Sequence, residues 1–266
     1  MAVRVLFGNN KGGSGKTGAC INVAGALADM GHRVLVVDID PQANASRRLG
    51  VPFQREYPTP TIAEAIKDAG EGVAASAIVP CQWGGNYSER ISVIPSRYDL
   101  ENRVSEAGIV GAVSRLRRAM SGVDDEYDYT FFDCPPSLGH LTQLGLAASN
   151  YVLCTVDPEY DGVDGGVRLR DFIANHAADL GNPQLKLLGV IVSRYRQQLG
   201  SHAFQVEGMP EVFGAELIWE EIVPERAPVK DAADAASSLR QVASTSAREM
   251  MAVYAKIAER IVKEAV

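Results

Sequence analysis

The chain has 266 residues, 26 of them Lys or Arg and 33 Asp or Glu, for a formal charge of −7; 46% are hydrophobic and 22% charged. This is ordinary globular composition in a chain long enough to bury its own core, and it excludes a disordered, collagenous or coiled-coil protein. The acidic balance argues against a surface coated in basic charge for nucleic acid, yet it leaves room for a local basic patch.

Strand-like and helical runs alternate from end to end. Residues 3–7 form a continuous apolar strand, and 17–30 follow as a helix with Ile21, Ala24, Leu27 and Ala28 on one face. The run 33–37 (RVLVV) reads as a second strand, and 61–69 as a short helix with Thr61 as N-cap. Loops are expected over 50–60 and 81–89. Further strands are expected over 91–94, 129–132, 151–156 and 186–193, with a last one at Leu217 and Ile218. A helix over about 239–263 closes the pattern. Buried apolar strands separated by helices predict an α/β fold, a mostly parallel twisted sheet with helices on both faces. Neither a repeat nor a Ser/Pro-rich linker interrupts the chain, so a single domain over 1–266 is expected.

The four cysteines, Cys20, Cys81, Cys134 and Cys154, have no CxxC or zinc spacing and read as reduced thiols of a cytoplasmic protein. No apolar run approaches the ~20 residues of a membrane span, and the N-terminal run lacks the flanks of a signal peptide.

The sharpest motif is Lys11-Gly12-Gly13-Ser14-Gly15-Lys16-Thr17, placed between the first strand and the first helix. That context suits a phosphate-binding loop. Glycines let backbone N–H groups turn inward, and the helix points its positive end at the anion. Lys16 would meet the β and γ phosphates of a nucleotide, and the Thr17 hydroxyl would hold Mg²⁺. Two other strands end in carboxylates, in Asp38-Ile39-Asp40-Pro41-Gln42-Ala43-Asn44 and Asp133-Cys134-Pro135-Pro136-Ser137. Ligands of open parallel sheets bind at such strand ends, so these carboxylates should converge on the loop.

The paired lysines resemble the deviant Walker A motif of the ParA/MinD family of ATPases, and the similarity extends over nearly the whole chain. The two aspartate segments resemble the family's first and second switches, 91–100 its third-strand segment, and Asp157-Pro158-Glu159 the strand end that precedes the next helix. Pro224-Glu225-Arg226 resembles the late loop that closes over adenine. The resemblance implies a single-domain P-loop NTPase with ATP and Mg²⁺ as cofactors. Residues 11–18, Pro224 and Arg226 would bind the nucleotide. Thr17, Asp40 and Asp133 would serve the metal, with Asp40 also positioning the attacking water, while Asp38 shapes the site. Lys11 would reach the partner's phosphates across an ATP-dependent homodimer. Two positions depart from the pattern. Gly18 stands where many members have Thr, and Glu225 where many carry a basic residue.

The implied function is DNA partition. The dimer would hold double-stranded DNA without sequence preference, on the nucleoid, until a ParB-like adaptor stimulates hydrolysis. Candidate DNA contacts are Arg194, Arg196, Arg226, Lys230 and Arg240, with Arg248 and the group Arg115, Arg117 and Arg118 further off. A separate helix-turn-helix domain is not expected, because the first strand begins near residue 2. Three other readings share the scaffold. A MinD-like membrane cycle would need an amphipathic terminal anchor, but the last helix mixes Lys256, Glu259, Lys263 and Glu264 on its polar face, so no membrane partner is expected. An iron–sulfur reductase would need cysteines flanking the second switch. A metabolic ATP-dependent ligase or kinase would turn over a small substrate with no effect of DNA.

Overall fold

The computed structural model describes residues 2–265 except Arg55 and Tyr57, so those two positions of the predicted loop 50–60 lie outside the described residues. Seven strands form one sheet: β1 (Val3–Gly8), β2 (Val34–Asp38), β3 (Val79–Pro80), β4 (Ile91–Ile94), β5 (Tyr129–Asp133), β6 (Tyr151–Val156) and β7 (Lys186–Val192). Their spatial order is β3-β4-β2-β5-β1-β6-β7. Every pairing is parallel except the short β3 on β4. The helices are α1 (Lys16–Asp29), α2 (Asn44–Arg48), α3 (Ile62–Asp68), α4 (Tyr87–Arg90), α5 (Arg115–Ala119), α6 (His140–Ala148), α7 (Tyr160–His176), α8 (Gly200–Phe213), α9 (Ala227–Asp234) and α10 (Thr245–Glu264).

Alternation along the strands sends side chains to two cores. Val5, Phe7, Val36 and Phe131 pack toward α1 and α10. Leu6, Leu35, Val37 and Phe132 pack toward α3, α6 and α7 on the other face. Each of these fully buried apolar side chains contributes roughly 1.5–3 kcal/mol relative to exposure. Because both faces are covered, the strands carry apolar residues at successive positions, as Val34–Val37 of β2 do, rather than at alternate ones.

Local signals explain several boundaries. Thr61 caps α3 as expected, accepting from the Ala63 N–H while Glu64 accepts from the Thr61 backbone. The expected single helix over 239–263 is instead a short 3₁₀ turn at Leu239–Gln241 and then α10, because Ser244 caps a new start by accepting from the Ala247 N–H at 3.0 Å. The expected loop 81–89 contains the first residues of α4. Leu217 and Ile218 do not form a strand. The chain pairs there through isolated bridges, Ile218 to Val190 in β7 and Pro224 to Tyr195 just beyond it. The Trp219 and Val223 N–H groups donate to the Val190 and Val192 carbonyls, and the buried Trp219 indole lies against Gly189, where a Cβ would stand 2.0 Å from Nε1.

Candidate nucleotide site

Three elements end at the same edge of the sheet. β1 runs into the loop at residues 9–15, and β2 and β5, paired in register at Asp38 and Asp133, deliver their carboxylates beside it. The loop opens α1 at Gly15, whose φ of 87° is the left-handed conformation that favours glycine; a Cβ there would sit 2.6 Å from Ser193 Oγ. Ser193 in turn donates to the Ser14 carbonyl at 2.5 Å, tying the loop to the end of β7. Lys16 is buried and donates to the Lys11 carbonyl at 2.8 Å, so its ammonium stays within the concavity.

Thr17 donates to Asp133 Oδ2 at 2.7 Å, while Asp133 Oδ1 is buried without a partner. Burial, and then Asp38 beside it, push the Asp133 carboxyl well above the usual range. Asp38 is pushed up to about 6, chiefly by burial, although it accepts from the Ser46 N–H and hydroxyl and from the Asp40 N–H. Asp38 thus fastens α2 and the segment before it to β2. Asp40 lines the cavity, accepts from the Gln42 N–H at 2.9 Å, and is raised by burial against the pull of Lys16. Buried carboxylates with an orphan oxygen beside a threonine hydroxyl suit a hard divalent cation completed by phosphate and water oxygens. Among the described residues no group of three or more His, Cys, Asp or Glu forms an all-protein metal cage. All four cysteines are buried free thiols, and burial raises those of Cys81, Cys134 and Cys154 to about 12.

The cavity, of about 530 Å³, is walled by Gly12–Ala19, Asp40, Asn44, Arg48 and Pro136 on one side. Ser193, Arg194, the stretch Val223–Arg226, Val229, Lys230, Asp234 and Tyr254 close the other. Pro224 and Arg226, predicted from the late loop, therefore do face the phosphate loop.

Lys11 sits at the mouth and folds back on its own chain, with Nζ 2.7 Å from Asp157 and 2.9 Å from Glu159. Burial pulls its pKa down, but the hydrogen bonds to both carboxylates outweigh that and leave it raised. The same contact lowers Glu159. Asn9 completes this corner. Its amide donates to the Thr155 and Gly162 carbonyls, and its oxygen accepts the Lys11 N–H. Helix α7 can press this close only because Gly165 has no Cβ, which would lie 2.4 Å from Asn9 Oδ1. A mid-helix glycine costs about 1 kcal/mol relative to alanine, so close approach outweighs propensity here. Asn9 and the pairing role of Asp157 and Glu159 escaped the sequence reading. The available signal was a strand ending in Asp-Pro-Glu next to the one that carries the loop.

The five candidate DNA contacts do not form one free patch. Arg194 follows β7 in a left-handed backbone conformation (φ 55°) and donates to the Gly13 carbonyl at 2.8 Å and to Glu225 at 3.0 Å. Arg196 also pairs with Glu225, whose carboxyl its hydrogen bond helps lower to about 2. Arg226 and Lys230 border the nucleotide cavity. Arg240 lies elsewhere, paired with Asp29 at 3.0 Å beside a second cavity under α1 and α10. Of the more distant group, Arg115 pairs with Glu106 and Arg117 donates to the Gly181 carbonyl.

A parallel sheet whose first strand feeds a glycine-rich loop and helix, flanked by two buried strand-end carboxylates, defines a P-loop NTPase. A family model described as an AAA domain matches residues 3–187. The chromosome-partitioning ATPase Soj of Thermus thermophilus is 33% identical over 261 residues, covering 97% of this chain and 94% of that one. The chain belongs to the ParA/MinD family of P-loop ATPases. Among solved structures, apo McdA of Cyanothece superposes with a TM-score of 0.83 at 23% identity, over 97% of this chain and 100% of that one. The cobyrinic acid a,c-diamide synthase of Mycobacterium smegmatis with bound ADP and magnesium gives 0.80 at 24%, over 100% and 97%. McdA and a cobyrinic acid a,c-diamide synthase thus share this fold, which by itself does not fix an activity.

Proposed function

We propose that this protein is a DNA-partition ATPase of the Soj type. It binds ATP with Mg²⁺, closes as a homodimer, holds double-stranded DNA without sequence preference in the cytoplasm, and lets go when a ParB-like adaptor stimulates hydrolysis. The observation that carries the reading is Lys11. A second lysine at the start of the phosphate loop, part-exposed and paired with two carboxylates rather than buried with Lys16, supports a role in which it leaves its own chain and meets phosphates bound by another. A cation added in trans to the transferring phosphoryl group is worth ~10³–10⁵ in rate in related chemistry. The residues that would act are Lys16 and residues 12–18 on the phosphates, Thr17 and Asp133 on the metal, and Asp40 on the attacking water. Mg²⁺ would neutralise charge on the β and γ phosphates.

The partition reading over a metabolic one draws on the 33% identity to Soj, whereas the likeness to the synthase is one of fold. A membrane cycle is disfavoured by α10. Its apolar stripe, Met250, Tyr254, Ile257 and Ile261, is buried in the core against α1 and is not available to a bilayer. Among the described residues no helix is long and apolar enough to cross a membrane.

The deciding experiment is binding to a random-sequence duplex with ATP analogue, ADP or no nucleotide, across a salt series. The expected result is binding with the analogue alone, indifferent to sequence and falling steeply with salt as phosphate contacts are screened. A protein that binds ATP but no DNA in any state would retire the partition reading in favour of small-molecule chemistry.

A further inference from the structure

Arg48, the last residue of α2, is a cation of the cavity to which the sequence pattern gives no task. Its carbonyl accepts the Trp83 indole N–H at 2.7 Å, which pins the residue in place, and its side chain lines the cavity with Gly18, Asp234 and Tyr254. The side chain is half-buried. Nε is sealed from solvent without a hydrogen-bond partner, and no ion pair involves the guanidinium among the described residues.

Three of the other cations of the cavity are already engaged. Lys16 donates to the Lys11 carbonyl, Arg194 to Gly13 and Glu225, and Arg226 to the Glu225 carbonyl. Asp133 and Asp234 lie close enough to act on Arg48 through space, and neither comes within ion-pair distance. Arginine does not shed its proton in proteins, so an enclosed guanidinium N–H without an acceptor stays charged and costly. Nε, sealed from solvent, is out of a ligand's reach, so an acceptor brought by a ligand would meet the terminal nitrogens, which have no hydrogen-bond partner among the described residues. In that reading Lys16 and Thr17 serve the far phosphates. Arg48 lines the same cavity as Gly18, Ala19 and Tyr254, and Asp133, Asp234 and Tyr254 act on it through space.

We propose that Arg48 is a nucleotide-contact residue whose guanidinium donates to the phosphate nearest the sugar, the part that ATP and ADP share. This rests on reading the cavity as the nucleotide site. When nucleotide enters, Arg48 gains an anionic partner, and with it α2 and the preceding switch segment from Asp38 to Asn44 become tied to the ligand. Arg48 would then report the presence of nucleotide, and Asp40 and Lys11 the presence of the γ phosphate.

The test uses Arg48→Met, which keeps the stem and removes the fork, and Arg48→Lys, which restores charge. Binding of ATP and ADP with Mg²⁺ is measured by calorimetry, and melting temperature with and without nucleotide. The expected result for Arg48→Met is a loss of roughly 10- to 100-fold in affinity for both nucleotides, as for a lost charge-assisted hydrogen bond. Its nucleotide-free melting temperature should be no lower than wild type, and the rise on adding nucleotide smaller. Arg48→Lys should recover part of the affinity. Affinities within twofold of wild type would overturn the proposal. So would a lower nucleotide-free melting temperature with an undiminished nucleotide-induced rise, which would make Arg48 a brace for α2. A loss confined to ATP would overturn the assignment to the shared phosphate. Wild-type protein that binds neither nucleotide would overturn the reading of the cavity itself, and is distinguished by needing no variant.

Discussion

The phosphate-loop edge of the sheet and the basic residues of the C-terminal third behave in opposite ways. At the loop, residues spread over more than a hundred positions converge. Thr17 meets Asp133, Asp38 stands beside it in register, and Lys16 and Asp40 face one cavity. In the C-terminal third, residues that look alike by charge disperse. Arg194 and Arg196 clasp Glu225, Arg226 and Lys230 line the cavity beside the phosphate loop, and Arg240 pairs with Asp29. Convergence at the loop follows from backbone geometry, because parallel strands bring their carboxyl ends to one edge whatever their side chains do. A charge pattern carries no such constraint, and each guanidinium settles on the nearest acceptor.

The largest expected effects, each roughly a hundredfold or more, test the convergent region. Lys16→Ala should weaken ATP binding by roughly 100-fold or more in calorimetry, since it removes a buried charged donor from the phosphate site. Retained affinity would show that the loop is not a phosphate cradle. Next, Lys11→Ala should lower adaptor- or DNA-stimulated hydrolysis by about 10³-fold and impair the ATP-dependent dimer seen by light scattering, while one chain's ATP affinity stays nearly unchanged. Wild-type behaviour would end the cross-dimer role. Asp40→Ala should cut hydrolysis by about 10²–10³-fold while still dimerising in ATP, as expected when a water-positioning carboxylate is lost. A variant that stays monomeric in ATP would remove Asp40 from that role.

The dispersed region should respond more mildly. Glu225→Gln frees Arg194 and Arg196 from their shared partner. If these arginines face DNA in the dimer, duplex affinity should rise by a few-fold and the salt slope should steepen by about one phosphate contact per freed charge. An unchanged slope would remove them from the DNA surface and make the clasp a brace of the phosphate loop.

The smallest effect is one of pH. Asp38 is held near 6 rather than at its usual 3.8, mainly by burial. A carboxyl raised on folding favours the protonated state, so its contribution to the stability of nucleotide-free protein is intact below pH 3.8 and is lost as pH rises to about 6. Melting temperatures over that window should fall by on the order of 5 °C more in wild type than in Asp38→Asn. Parallel curves would show that Asp38 is not the group that titrates.

Most strands were legible in the sequence, because a continuous apolar run buried on both faces leaves few alternatives; β1 and β6 match their expected ranges to within a residue. The loop was legible because phosphate binding demands a contiguous run of small residues and a lysine between strand and helix. Thr61 was legible because a cap acts on its own helix. Leu217 and Ile218 were misread because a two-residue apolar signal does not show whether a ladder continues past a single bridge. The break before α10 was missed because helical periodicity continues across Ser244.

What the sequence alone determined about this protein is therefore what local chemistry dictates: the alternation of strands and helices, the phosphate loop, and the two strand-end aspartates beside it. Tertiary structure decided which charges meet. Lys11 rests on Asp157 and Glu159, Arg194 reaches back to Gly13, and Arg48 faces the cavity with its Nε unpartnered. Those pairings join segments far apart in the chain. They depend on distances of a few ångströms in a low-dielectric setting, which residue order does not encode until the sheet has brought the segments together.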